Sequence, residues 1–243
     1  MNKTIIIFFL STFLLFSQNN QSNNQSAFHA ASFSIKFENS LAYAFDENGK
    51  NVFQGKFYHP SGMISDLDAD GVDEFIIIDS NSVNRKTVFT VSIFNTVDSF
   101  YLVDSINSGG TSPYFQVNEE TNKVTLITGN PDFDNYNANP EFFFSPLDCW
   151  KYESSELSLN NEEMYELLLT ENENIIEFLE NYRWNSDSCS TSKEILGAIA
   201  SAFANYINAG ETAIAYQFLR KYYMCSNLDL IKKEFLELLG ISD

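Results

Sequence analysis

The segment whose residue types and spacing indicate chemistry most clearly is DLDADGVDEFIII, residues 66–78. Four aspartates, one glutamate and one glycine fall within its first nine positions, and an apolar run follows them. Calcium is a hard cation that takes six to eight oxygen ligands at about 2.3–2.6 Å, and a short loop supplies them when alternate residues point inward. The sequence therefore predicts a calcium loop over residues 66–74.

Within this loop, the predicted metal ligands occupy the odd-numbered positions. They are three aspartate carboxylates, one backbone carbonyl and a closing glutamate: Asp66, Asp68, Asp70, Val72 and Glu74. Gly71 at the sixth position permits the sharp turn, because glycine adopts backbone angles that other residues resist. Asp73 lies between two inward positions, so we expect it to face outward or to stabilise the turn.

The same carboxylates admit an interpretation without a metal, because aspartate stabilises turns before strands on its own. That interpretation leaves several like charges crowded together. At 4 Å each like-charged pair costs about 1 kcal/mol even at the dielectric constant of water. A bound divalent cation removes this repulsion, and we therefore favour metal binding, with calcium as the ion.

The residues after the loop distinguish between two kinds of calcium site. A helical calcium hand needs a bidentate glutamate at position twelve, whereas this chain has Ile77 there, within a β-type run. The segment instead resembles the calcium loop of FG-GAP/VCBS-type repeats, D-x-[DN]-x-D-G-x-x-[DE] followed by a hydrophobic strand, found in β-propellers of the integrin kind. The resemblance implies a calcium ion in the loop and a propeller-like β fold. Those families usually carry several copies, and this sequence shows one.

The N-terminus predicts export. Lys3 supplies a positive charge, residues 4–16 are nearly all apolar, and residues 17–31 are polar and then small. Such a short apolar core is typical of a signal peptide rather than of a membrane span. We expect residues 1–31 to be a signal peptide and polar spacer, cleaved between about 17 and 31. The mature protein would then be secreted or periplasmic without a membrane segment; an uncleaved anchor is the alternative.

The charge of the chain limits its partners. The formal net charge is −19, from 14 basic and 33 acidic residues, which argues against nucleic acid and anionic membrane surfaces. Ca²⁺ and a protein or glycan ligand remain compatible with this charge. The candidate contact surface for a sugar or peptide is a strip of aromatic residues: Tyr114, Phe115, Tyr136, Phe142, Phe143 and Phe144.

Three cysteines are present, Cys149, Cys189 and Cys225. In an exported protein two of them tend to oxidise. Cys189 precedes one predicted helix and Cys225 ends the next, so an antiparallel helical hairpin would bring both to the same end. We predict a disulfide between Cys189 and Cys225, which leaves Cys149 as a buried thiol.

The chain divides into a β-rich part and a helical part. Residues 32–159 contain short alternating or apolar runs separated by turn signals, and EETNK between two of them predicts a hairpin. The predicted strands are 33–37, 56–59, 74–78, 87–94, 100–103, 114–117, 123–127 and 141–144. Residues 160–243 show helical spacing, with an expected break near residues 170–173 and a helix capped by Ser192.

These elements predict an α+β fold. An antiparallel β meander or propeller fragment carries the calcium loop, and a C-terminal helical bundle of about four helices follows it. The β part, about 125 residues long, has room for roughly two four-stranded blades.

The sequence shows no catalytic constellation. His59 lies in KFYHPSG, which has no nucleophile signature, and no glycine-rich phosphate loop is present. We therefore expect a non-enzymatic, exported, calcium-binding protein of the binding or adhesion type, in which calcium is mainly structural. The first alternative is a secreted hydrolase that uses a carboxylate pair on cell-wall or glycan material. The second places the function in the helical part and leaves the calcium loop as a staple of the fold.

Overall fold

The structure, a computed structural model, describes residues 27–83, 86–137, 142–182 and 188–241. In these ranges twelve antiparallel strands are followed by five α-helices, which confirms the predicted α+β class. Most of the predicted signal peptide and spacer, residues 1–26, lies outside the described residues. The expected spacer extends too far along the chain, because Ala27–Ala30 forms the first strand and Ala30 is completely buried.

The strands form three sheets of four strands each, and consecutive strands are neighbours within every sheet. The first sheet contains β1 (Ala27–Ala30), β2 (Phe33–Glu38), β3 (Leu41–Phe45) and β4 (Asn51–Lys56). The second contains β5 (His59–Ser65), β6 (Glu74–Val83), β7 (Lys86–Asn95) and β8 (Tyr101–Gly109). The third contains β9 (Tyr114–Val117), β10 (Val124–Gly129), β11 (Leu147–Glu153) and β12 (Glu156–Leu159). Four-stranded antiparallel meanders in series are also the units from which propeller blades are built.

The structure thus contains three such units where the sequence indicated about two. The strand predicted at residues 56–59 is wrong, because residues 57 and 58 separate β4 from β5, and these two strands carry Gly55, Pro60 and Gly62. Glycine and proline weaken the alternating pattern that identifies a strand, and both are tolerated at the edges of sheets. The EETNK hairpin between β9 and β10 is confirmed, with Asn122 in the left-handed region at φ +57°.

The second sheet lies between two hydrophobic cores. One core is rich in phenylalanine and joins this sheet to the first; it includes Phe33, Ile35, Phe75, Phe94 and Phe100. The other core joins it to the third sheet and includes Leu67, Ile76, Ile93, Val124, Leu126 and Tyr152. Successive side chains of a strand point to opposite faces, so the apolar run at the start of β6 fills both cores.

Five helices follow the third sheet: α1 (Tyr165–Tyr182), α2 (Cys189–Glu194), α3 (Leu196–Asn208), α4 (Thr212–Tyr222) and α5 (Leu228–Leu238). The predicted break in the first helix is wrong, because α1 runs through residues 170–173 without interruption. The predicted cap is also wrong. Ser188 caps α2 by accepting a hydrogen bond from Thr191 N, whereas Ser192 is buried and donates to the carbonyl of Tyr222.

The strand predicted at residues 141–144 is also wrong. Residue 141 lies outside the described residues, and residues 142–146 form an irregular segment. Their aromatic rings pack on α1 instead: the ring centroids of Phe142 and Phe144 lie 4.8 and 4.7 Å from the ring centroid of Phe178. The predicted aromatic strip is therefore divided, because these rings and Tyr136 contact the helical core while Tyr114 and Phe115 lie on β9.

The disulfide predicted at the helical hairpin is confirmed. Cys189 begins α2 and Cys225 follows α4, and the two are bonded with a Cα–Cα distance of 4.6 Å. Cys149 is a buried free thiol in β11. Across the described ranges, no helix has both the length and the apolar character needed to cross a membrane.

Candidate metal centre

The loop between β5 and β6 is shaped by the first aspartate of the predicted site. Asp66 accepts hydrogen bonds from the backbone N–H groups of Asp70, at 3.1 Å, and Gly71, at 2.9 Å. These bonds close a tight turn in which Ala69 and Gly71 both adopt positive φ, at +62° and +89°. The glycine expected at the sharp point of the turn is therefore found there, because its backbone angle is one that glycine adopts without strain.

Three of the predicted ligands come together in this loop. One carboxylate oxygen from each of Asp66, Asp68 and Glu74 lies within 4.8 Å of the others. Two oxygens on opposite sides of a calcium ion, each at about 2.3–2.6 Å, are separated by a similar distance. The arrangement therefore has the dimensions that a shared cation requires.

Asp68 supplies the most informative atom of the cluster. Its Oδ1 is buried and has no hydrogen-bond partner among the described residues. A buried polar atom without a partner costs about 1–3 kcal/mol, and more when it carries charge, so native structures satisfy nearly all of them. A cation among Asp66, Asp68 and Glu74 would provide that partner.

Glu74 is the buried member of the cluster, with 2% of its surface exposed. Burial is the main reason that its pKa is raised to about 7, and the negative charges of the three neighbouring aspartates raise it further. A hydrogen bond from the backbone N–H of Leu67, at 2.9 Å, partly opposes this increase. The site therefore holds one carboxylate in surroundings that disfavour its charge in the absence of a counter-ion.

The other predicted ligands are Asp70 and Val72, and Val72 is half-buried. Asp70 is exposed and stands outside the group of three, and its Oδ1 accepts a hydrogen bond from Val72 N at 2.7 Å. Asp73 faces solvent, as expected, while its backbone carbonyl accepts a hydrogen bond from Thr96. Asp70 thus stabilises the turn beside the cluster.

Leu67 connects the cluster to the rest of the fold, a role that was not predicted. It stands between two candidate ligands, yet only 2% of its surface is exposed and it packs in the core between the second and third sheets. Its carbonyl accepts a hydrogen bond from Val124 N, the first residue of β10, at 2.9 Å. A leucine between two candidate ligands is the signal that would have identified it, because leucine is among the residues most often fully buried.

Comparisons of the chain with models of known protein families, with curated proteins and with solved structures gave no match. The fold itself therefore defines the class of protein to which this chain belongs. Within the described residues it is an α+β protein in which three four-stranded antiparallel meanders precede a helical region, with a carboxylate cluster in the loop that enters β6, an inner strand of the second sheet.

Proposed function

We propose that this chain is an exported calcium-binding protein of the non-enzymatic binding or adhesion type, in which calcium is mainly structural. The observation that carries the proposal is the buried, unpartnered Oδ1 of Asp68 beside the carboxylates of Asp66 and Glu74. Oxygen-only ligands of this kind favour a hard cation, and the loop can add backbone carbonyls and water to reach the coordination number of calcium.

The contacts of the loop support a structural role for the ion. Leu67 donates its N–H to Glu74 and accepts a hydrogen bond at its carbonyl from Val124. A calcium ion that neutralises Asp66, Asp68 and Glu74 would hold Leu67 in the core between two sheets. Calcium would thus join the β5–β6 hairpin to the third sheet, and its loss would loosen that interface.

The proposed relation to FG-GAP/VCBS-type repeats has support at two levels. The loop pattern precedes a hydrophobic strand, β6, and the sheets are consecutive four-stranded meanders. Proposed export is supported by the apolar segment after Lys3 and by the disulfide between Cys189 and Cys225. Disulfides of this kind persist in oxidising compartments and are rare in reducing ones.

A binding role is favoured over hydrolysis by the lining of a cleft on the third sheet. Hydrolysis of a glycosidic bond by the usual mechanism needs two carboxyl groups across one cleft, about 5–9.5 Å apart. A cleft of about 310 Å³ beside the calcium loop is lined by a single carboxylate, that of Glu163. This cleft therefore has the composition of a binding site rather than of a carboxylate-pair active site.

Calorimetric titration with CaCl₂ and thermal melting in calcium and in chelator test the proposal. We expect about one equivalent to bind, and saturating calcium at 100 times Kd to stabilise the fold by about 2.7 kcal/mol. For a chain of this size the melting temperature then rises by about 5–10 °C. Asp68→Ala should abolish both effects.

The matched control is Asp98→Ala, which removes an exposed aspartate from a turn after β7. This variant should bind calcium like the natural chain. Absence of heat and of any melting shift at millimolar calcium would reduce the loop to an acidic turn. An equal loss of calcium binding in both variants would show that calcium responds to the overall negative charge of the protein rather than to this site.

A further inference from the structure

The cleft beside the calcium loop is formed by β9, β10, β11 and the segment that follows β12. Its volume of about 310 Å³ is at the lower end of the range of small-molecule sites, about 300–1,000 Å³. Its lining includes amide, hydroxyl and ammonium groups together with one flexible apolar side chain: Gln116, Asn118, Thr125, Lys151, Asn160 and Met164. The cleft therefore has the size for one small molecule and presents polar groups beside apolar surface.

Three of these polar side chains form a row across the sheet. Thr125 in β10 is directly opposite Gln116 in β9 and Lys151 in β11. Directly opposed residues of antiparallel strands point to the same face, so the row presents an amide, a hydroxyl and an ammonium side by side. Among the described residues, the side chains of Gln116 and Thr125 have no hydrogen-bond partner. The row therefore offers both donors and acceptors to a ligand.

The charges around the cleft are balanced. Lys123 and Lys151 both contact the carboxylate of Glu153, the latter at 3.2 Å, and Lys151 also lies 4.0 Å from Glu163. An anionic ligand would meet Glu153, Glu163 and the nearby calcium loop, and a cationic one would meet two ammonium groups. The balance therefore favours a neutral ligand.

Apolar surface completes the lining. Met164 contributes a flexible thioether at the side of the cleft opposite the row of Gln116, Thr125 and Lys151. A neutral molecule with hydroxyl groups that donate and accept, and with one C–H face, matches this combination. We propose that the cleft is a binding site for a neutral monosaccharide unit.

This inference names the ligand of the proposed binding function and rests on that function, but the two can be tested separately. Calcium binding without sugar binding would overturn the monosaccharide site and leave the calcium proposal standing. Sugar binding without calcium binding would overturn the calcium proposal and leave the monosaccharide site standing.

The experiment is a titration of the ¹⁵N-labelled full chain, followed by NMR, in calcium and again in chelator. The probes are glucose, galactose, mannose and N-acetylglucosamine, with glucuronate and glucosamine as charged counterparts. For at least one neutral sugar we expect saturable shifts of the amides of Gln116, Thr125 and Lys151, with a Kd of about 1–10 mM. Both charged counterparts should bind more weakly than the neutral sugar.

Gln116→Ala should weaken this binding about fivefold, because it removes one direct hydrogen bond to the ligand. Gln54→Ala is the matched control, since Gln54 is also exposed on an edge strand, β4, in the first sheet. It should leave the affinity unchanged, and the amide spectrum of each variant verifies its fold. The proposal is overturned by the absence of shifts with every neutral sugar, by tighter binding of glucuronate, or by unchanged affinity in Gln116→Ala.

Discussion

Leu67 and Glu74 are joined by a hydrogen bond of 2.9 Å between the backbone N–H of the former and Oε2 of the latter. Because Leu67 also packs in the core between the second and third sheets, this bond links the carboxylate cluster directly to the hydrophobic interior. Through such a link, an ion bound at this loop as proposed would affect the stability of the β part. It would also make the proposed calcium binding and the packing of the core mutually dependent.

The first prediction concerns this dependence. Leu67→Ala should lower the free energy of unfolding by about 2–4 kcal/mol, because it leaves a cavity among well-packed residues. Calcium affinity should fall as well, although every carboxylate remains in place. Chemical denaturation and calorimetric titration measure the two effects, with Leu102→Ala, at an exposed position of β8, as the control. A destabilised variant with unchanged calcium affinity would separate the site from the core.

A second prediction concerns the closing carboxylate. Glu74→Gln keeps the shape of the side chain and removes a buried charge that is repelled by three aspartates. In chelator the variant should be at least as stable as the natural chain, whereas in calcium it should lose most of the stabilisation by the ion. Melting temperatures of the variant and the natural chain in calcium and in chelator measure the difference. A variant that is destabilised equally in calcium and in chelator would indicate that Glu74 acts without a metal.

The pH dependence of stability tests a different carboxyl group. Burial raises the pKa of Asp148 in β11 to about 6, with a smaller contribution from the charge of Asp132, while a hydrogen bond from Asn161 opposes the increase. The folded pKa is above the value of about 3.9 expected in the unfolded chain, so the folded state binds the proton more tightly. Stability from this group is present below about pH 4 and is lost as the pH rises through about 6.

Asp148→Asn should therefore stabilise the protein at pH 7 by about 1–3 kcal/mol and have little effect at pH 4. Urea denaturation at both pH values measures the difference. Asp98→Asn, at an exposed turn, is the control and should change stability little at either pH. An equal effect of Asp148→Asn at both pH values would contradict the raised pKa.

The junction between the β part and the helices depends on buried asparagines. Asn205 in α3 accepts a hydrogen bond from the backbone N–H of Leu147 at 2.9 Å and donates one to Asn172 in α1 at 3.2 Å. Asn205→Ala would leave both groups buried without a partner, at a cost of about 2–4 kcal/mol. Asn174→Ala, on the exposed face of α1, is the control and should cost much less. Equal losses in denaturation experiments would show that the junction is not held in this way.

These residues also show how far local patterns predict the structure. The loop of residues 66–74, the α+β class and the pairing of Cys189 with Cys225 follow from spacing and from short-range rules. Leu67 and Asn205 do not, because their roles depend on contacts with β10, β11 and α1 that are distant in sequence. The strand prediction for the segment with Phe142 and Phe144 is wrong for the same reason. Its alternating aromatic residues pack against a helix and do not belong to a paired strand.

The last prediction joins the two proposed sites. Leu67 lines the monosaccharide cleft and also bonds to Glu74, so a calcium ion that orders Leu67 should shape the cleft. We expect calcium to strengthen the binding of the preferred neutral sugar about fivefold, at the low end of typical coupling between sites. Thermodynamic linkage then requires the sugar to strengthen calcium binding by the same factor.

Calorimetric titration of sugar in calcium and in chelator, and of calcium with and without sugar, measures both factors. Leu67→Ala should remove the coupling while it leaves Gln116, Thr125 and Lys151 in place. If the sugar binds equally in calcium and in chelator, the sites are independent and Leu67 acts only on stability. If calcium weakens sugar binding, the ordered loop closes the cleft rather than shaping it, because a favourable coupling has the opposite sign.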